Sequence, residues 1–265
     1  MKLDRFFAKH PVFTLEEFDE YLGKQNRYTR DSLLTHHRKS GRIMAIRRGL
    51  YSVVPPGSSP ESAPVDLFLL ASKMTADAVI SYHTALEFHG KAYSVFNKLY
   101  YLSSRKSQPV QFRSHEFISV LVPKAIRGRP AERFGLEHYE RSGMTVRATD
   151  LERTLVDVMA RPDISGGWEE IWRSLESVEY FKLDDVVEYA LLLGNATTAS
   201  KVGFFLDQHS RELNVKGSQL DRLRRLRPRQ PHYLDRSNRK GGQLVTAWNL
   251  VVPEAVINST WAEVT

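Results

Sequence analysis

The sequence predicts an α+β protein: a small N-terminal unit of helices closed by a two-stranded hairpin, then a mixed α/β region whose second half is mainly helical. Three observations carry this. Thr14-Leu15-Glu16-Glu17 is a capping box that opens a helix. The stretch from Thr29 to Tyr51, TRDSLLTHHRKSGRIMAIRRGLY, reads as a basic helix, a Gly stop and a hairpin. VVPPGSSPESAP, from Val53 to Pro64, holds four prolines and cannot continue a helix or a central strand. The expected domains are residues 1–54, a Pro-rich linker at 55–64, and residues 65–265.

The elements follow in order. Leu3 to Phe7 fits one or two helical turns. After the capping box, Leu15, Phe18, Tyr21 and Leu22 share one face of a helix that Gly23 ends. Thr29 is the expected N-cap of a second helix through Ser40, with Leu33, Leu34 and His37 inward and Gly41 left-handed at its end. Ile43 and Ala45, then Leu50, Ser52 and Val54, give two strands joined at Arg47-Arg48-Gly49. A helix pair closed by such a hairpin is the outline of a winged helix-turn-helix.

Beyond the linker, a helix is expected from Val65 through Lys73 and another from Ser81 to His89, stopped by Gly90. Strand-like runs follow at Leu99–Leu102, Phe117–Val122, Phe134–Tyr139 and Met144–Ala148. Thr149-Asp150-Leu151-Glu152 reads as a second capping box, before a helix that ends near Arg161-Pro162. Four more helices are expected at Trp168–Val178, Leu183–Leu193, Thr197–Leu213 and Ser218–Leu226. A polar bend from Arg227 to Gly242 leads to one final strand, Gln243–Val251.

Composition bounds the function. The chain of 265 residues carries a net charge of +7 with a pI near 9.5, which favours a polyanionic partner. The charge is unevenly spread: residues 1–52 hold 11 Lys/Arg against 6 Asp/Glu, residues 211–240 hold 10 against 3, and residues 150–190 hold 4 against 11. There are no cysteines, which removes disulfides, thiolate catalysis and Cys-based zinc sites. No apolar run approaches the ~20 residues that span a bilayer, and the first residues are too weakly apolar for a signal peptide. A cytoplasmic protein without membrane partners is expected.

The expected DNA-binding residues are Arg27 just before the second helix, Thr29, Arg30, Ser32, Thr35, His36 and Lys39 on it, and Arg42, Arg47 and Arg48 on the wing. The helix N-terminus normally reaches base edges, so Arg30 is expected to donate to guanine O6 and N7 and Ser32 to bond base or phosphate. The wing arginines would hold the backbone or minor groove. The bland alternative is a solvated basic helix beside a surface hairpin. A second basic block, with Arg222, Arg224, Arg225 and Arg227, would track phosphates; it could equally stabilise a helix C-terminus or meet an acidic protein.

Other constellations read as structure. His83 and His89 are six apart on a helix and cannot share a metal, so core or cap roles are expected. Capping and surface roles account for Asp150, Glu152 and Asp157. Trp168 and Trp172 read as core or domain-interface residues, and the acidic 150–190 stretch as solvated helix surface. No G-x-G-x-x-G, P-loop, G-x-S-x-G or H-E-x-x-H pattern is present, so no catalytic residue, metal or cofactor is expected.

Several strings in shared order resemble AbiEi-type antitoxins: Arg47-Arg48-Gly49-Leu50-Tyr51 with its Pro-rich exit, Ile80-Ser81-Tyr82-His83-Thr84-Ala85-Leu86 with His89-Gly90, Thr149-Asp150-Leu151-Glu152-Arg153-Thr154-Leu155-Val156-Asp157, Arg161-Pro162 with Gly166-Gly167, and Trp248-Asn249-Leu250-Val251-Val252-Pro253. The likeness covers most of residues 14–253. It implies the antitoxin of a type IV (abortive infection) toxin–antitoxin module, not an enzyme. Its winged helix would repress its own operon at inverted repeats. Its larger C-terminal domain would counter a nucleotidyltransferase-like toxin without needing direct contact. By that resemblance, Arg30 to Lys39 and Arg42 to Arg48 match the DNA-reading helix and wing. Two other classes stay open on the residues alone: a DNA-guided metal-dependent nuclease, and a protein-only adaptor using its basic patches.

Overall fold

The computed structural model describes residues 2–23, 26–237, 239 and 241–261. The chain divides into two compact units: Met1–Ile80, Asn97–Ser119 and His138–Ala148 form one, and Ser81–Phe96, Val120–Glu137 and Thr149–Thr265 the other.

In the first unit, helix α1 (Lys2–Lys9) leads to strand β1 (Val12–Thr14) and helix α2 (Leu15–Leu22). The capping box forms as expected: the Thr14 hydroxyl accepts from the Glu17 amide at 3.2 Å, and the Glu17 carboxylate accepts from the Thr14 amide at 2.8 Å. Gly23 ends α2 at φ +69°. The turn beyond it includes Lys24 and Gln25, which lie outside the described residues. Helix α3 runs Arg27–Lys39, and its N-cap is Asn26 rather than Thr29. Asn26 Oδ1 accepts from both the Thr29 amide and the Thr29 hydroxyl, so an Asn three residues earlier captures the group that would have been the cap.

Gly41, at φ +71°, turns the chain out of α3 as expected. Strands β2 (Ile43–Arg47) and β3 (Leu50–Val53) form the expected hairpin, with Gly49 at φ +79° in the turn. Strand β1 adds antiparallel to β3, giving a three-stranded sheet ordered β1-β3-β2. Three residues were too short to read as a strand from the sequence. Phe6, Phe7, Phe13, Phe18, Leu34 and Ile43 close the core between these elements. Burying each phenylalanine contributes about 1.5–3 kcal/mol.

Residues 54–64 are turns and irregular chain, and the first unit continues through them. Asp66 caps helix α4 (Leu67–Ser72), shorter than expected, by accepting from the Phe68 and Leu69 amides. A six-stranded sheet ordered β6-β7-β5-β4-β9-β8 follows. Its strands are β4 (Val79–Ile80), β5 (Lys98–Ser103), β6 (Val110–Phe112), β7 (His115–Leu121), β8 (Leu136–Arg141) and β9 (Met144–Thr149). β5, β7, β8 and β9 match the expected runs. β4 and β6 are additions whose two or three residues leave no alternation to read. β4 pairs antiparallel with β5 and parallel with β9.

The second unit holds helix α5 (His83–Phe88), α6 (Leu151–Ala160), α7 (Gly167–Glu176), α8 (Leu183–Leu193), α9 (Ala196–Gln208) and α10 (Gly217–Leu226). It ends in strands β10 (His232–Tyr233), β11 (Gln243–Val245) and β12 (Leu250–Val252) and helix α11 (Glu254–Ile257). The expected final strand is two. A turn over Thr246–Asn249, with Asn249 at φ +46°, folds β11 back antiparallel on β12. The turn sends Trp248 into the core against Gly203 of α9. The polar bend before it includes Asn238 and Lys240, outside the described residues.

Charges read as surface prove buried here. Asp150, not Thr149, caps α6, accepting from the Arg153 amide at 2.7 Å. Glu152 does not reach back to complete a box: it accepts from the Lys182 amide at 2.8 Å. Arg153 and Asp157 form an ion pair at 3.3 Å with neither side chain more than 1% exposed, and the Tyr189 hydroxyl donates to Asp157 at 2.9 Å. Arg153 also donates to the carbonyls of Glu132 and Phe134. His83 lies between Glu87 and Glu170, each 2.9 Å from one ring nitrogen, and stacks on Phe96. His89 meets the Thr149 carbonyl at 2.7 Å. Trp168 and Trp172 are core residues.

Candidate nucleic-acid interface

The helical period sorts α3 into two faces. Leu34 and His37 are buried and Leu33 half-buried. Burial lowers the His37 pKa, with Arg42 and His36 adding to the effect, which suits a neutral ring in the core. The opposite ridge runs through positions 28, 32, 35 and 39, a spacing of four, three and four that aligns along one side. Tyr28, Ser32, Thr35 and Lys39 are all exposed, with His36 beside them. Arg27 and Arg38 flank the ridge, also exposed.

Arg30 is placed differently from the expectation. Its side chain is 14% exposed, and its guanidinium lies 2.7 Å from Asp19 of α2 and 2.9 Å from Asp31. The Asp31 and Asp19 carboxylates raise its already high pKa, so it is a fixed cation facing acids of its own domain. Thr29 is held by Asn26. Asp31 is shared, since Arg27 also approaches it at 3.7 Å.

The wing arginines also divide. Arg42 pairs with Asp4 and lies over the Phe7 ring; the contact with Arg42 holds the Asp4 carboxyl down at about 2. Arg47 donates to the Arg48 and Met74 carbonyls, which fixes the wing's turn. Arg48, at the tip, is exposed. Of the cations on α3 and the wing, Arg27, Arg38, Lys39 and Arg48 are therefore the exposed ones.

The arginines of α10 lie in the second unit. Arg222 pairs with Glu188 at 2.6 Å, and Arg224 with Asp221 at 3.0 Å and Asp207 at 3.6 Å. Arg227 donates to the Ala247 carbonyl, while its side chain remains exposed beside Arg225. Two of these four thus neutralise local acids.

Sequence reasoning missed Tyr28, whose 84% exposure makes it the most open aromatic of α3. Its position four residues before Ser32 was the available signal. Among the described residues, no group of three or more His, Asp or Glu is placed to hold a metal ion. None of the described helices is long and apolar enough to cross a membrane.

Residues 1–54 match the family model described as "Transcriptional regulator, AbiEi antitoxin". The crystal structure of the RV2827C protein from Mycobacterium tuberculosis superposes with a TM-score of 0.58 at 15% identity, over 97% of this chain and 91% of that one. At that identity the likeness speaks for the fold. No curated protein matches the chain.

Proposed function

We propose that this chain, whose first 54 residues match the AbiEi antitoxin transcriptional-regulator model, binds double-stranded DNA in its own promoter region and represses its own operon. In this reading α3 enters the major groove, and the wing lies along the backbone. The observation that carries it is the exposed ridge of α3, polar at its centre, with Arg27, Arg38 and Lys39 exposed on the same helix and Arg48 exposed at the wing tip. The winged helix of residues 1–54 reads DNA. Residues 65–265, beyond the linker, serve as the antitoxin domain against a nucleotidyltransferase-like toxin, with direct contact not required.

Phosphate contacts of the winged helix fall to its exposed cations, while Arg225 and Arg227 are exposed basic groups of the second unit on their own. Arg30, Arg42 and Arg47 support the interface from behind, since their partners lie within their own unit. A reporter driven by the chain's upstream region tests the regulatory half. Expression should fall when the protein is supplied and recover with Lys39→Ala/Arg48→Ala. An unchanged reporter would refute autorepression. Co-expression with a nucleotidyltransferase-like toxin encoded beside it tests the other half: the full chain should relieve growth arrest, and unrelieved arrest would refute it.

A further inference from the structure

The ridge that α3 offers outward has no arginine on it. Its members before Lys39 are Tyr28, Ser32 and Thr35: one aromatic ring, three hydroxyls and one methyl. Bidentate recognition of guanine O6 and N7 calls for an Arg or Lys reaching the base edge. The helix supplies Arg27 and Arg30 near its N-terminus, but both approach Asp31, and Arg30 is also clamped to Asp19. Lys39 lies nearly three turns further on, at the opposite end of the helix from the residues that normally reach base edges.

We infer that α3 reads thymine-bearing base pairs: Tyr28 and Thr35 pack on thymine C5-methyl groups, Ser32 bonds a neighbouring base edge, and Arg30 is a positioning residue that sets α3 against α2. The inference rests on the DNA-binding reading above and names which chemistry on the duplex that site takes. The groove edge of an A·T pair offers a methyl beside hydrogen-bonding atoms, and apolar side chains meet that methyl. The Thr35 methyl and the Tyr28 ring supply apolar surface on a ridge that carries no guanidinium of its own, Arg27 and Arg38 lying to its side. Asp31 does not repel the duplex strongly, since two arginines share its charge.

The test uses the full chain and the duplex from its own upstream region. Single thymines are replaced by uracil, which removes the C5-methyl and leaves every base-pairing group. Single guanines are replaced by 7-deazaguanine, which removes N7. Uracil at the contacted positions should weaken binding about fourfold per methyl. Thr35→Ser should weaken binding to the native duplex, yet bind the matching uracil duplex no worse than the unaltered protein does. Tyr28→Ala should behave likewise at a second position. Arg30→Gln should weaken all duplexes alike and leave base preference unchanged.

The inference is overturned if uracil duplexes bind as tightly as native ones while 7-deazaguanine abolishes preference, or if Arg30→Gln relaxes one base position. Either result leaves the DNA-binding reading standing. If no upstream duplex is preferred over a scrambled one, the broader reading fails and this inference falls with it. Tyr28 and Thr35 are exposed, so their variants test the contact without disturbing the core.

Discussion

The guanidinium of Arg30 reaches across to the carboxylate of Asp19, 2.7 Å away on the preceding helix. A side chain expected to reach a groove instead joins α2 to α3, and its spacing from Leu34 and His37 puts it on their face of the helix. Removing one end by Asp19→Asn or Arg30→Met should lower stability modestly, since the pair is only partly shielded from water. Urea unfolding measures this. Equal midpoints for both variants and the unaltered chain would show that the clamp holds nothing.

What was legible in the sequence was local. The Thr14–Glu17 box, the glycines at 23, 41 and 49, and the strand-like runs at β5, β7, β8 and β9 each announce themselves within a few residues. The misses are contacts made at a distance or by very short elements. Asp19 and Arg30 are eleven residues apart, so no helical spacing links them. β1, β4 and β6 exist because a neighbouring strand offers hydrogen bonds, and two or three residues show no period of their own. Glu152, Asp157 and Glu170 look like solvated acids until their partners arrive from other elements. Of the candidate interface, the helix and wing were legible, and so was Arg30's face from its spacing to Leu34 and His37; the partners that hold Arg42 and Arg47 were not.

Asp157 offers a second test. Burial raises its carboxyl pKa, and Arg153 and Tyr189 oppose that rise. Asp157→Ala strands a buried guanidinium and should destabilise the second unit by about 3–5 kcal/mol. The double variant Arg153→Met/Asp157→Leu should recover only part, because Arg153 also serves the Glu132 and Phe134 carbonyls. Denaturant midpoints of the three chains check the ranking.

His83 should make stability depend on pH. Burial opposes its charge, but Glu170 and Glu87 outweigh burial and raise its pKa above the ordinary 6.5. A raised folded-state pKa gives stability that is fully present below about pH 6.5 and is lost as pH rises through the folded value. The difference in urea midpoint between the unaltered chain and His83→Gln should therefore shrink from pH 6 to pH 9. A difference that stays constant or grows would mean that His83 is neutral throughout.

Gly203 gives a packing test. A Cβ there would meet the Trp248 ring at 2.1 Å. Gly203→Ala should destabilise the second unit even though Ala favours helix by about 1 kcal/mol elsewhere. Trp248 is fully buried and donates to Asp207 at 2.9 Å, so its fluorescence should shift as the indole is displaced. A more stable Gly203→Ala chain with unchanged emission would remove this contact from the account.

The central claim is that the outer face of α3 and the wing tip meet a duplex. A binding titration on the chain's own upstream region, at two salt concentrations and beside a scrambled duplex, tests it most directly. If Arg27, Arg38, Lys39 and Arg48 each meet a phosphate, the native duplex should be preferred, and log affinity should fall against log salt with a slope of roughly −3 to −4 per chain. Equal affinity for both duplexes, or binding indifferent to salt, would contradict it.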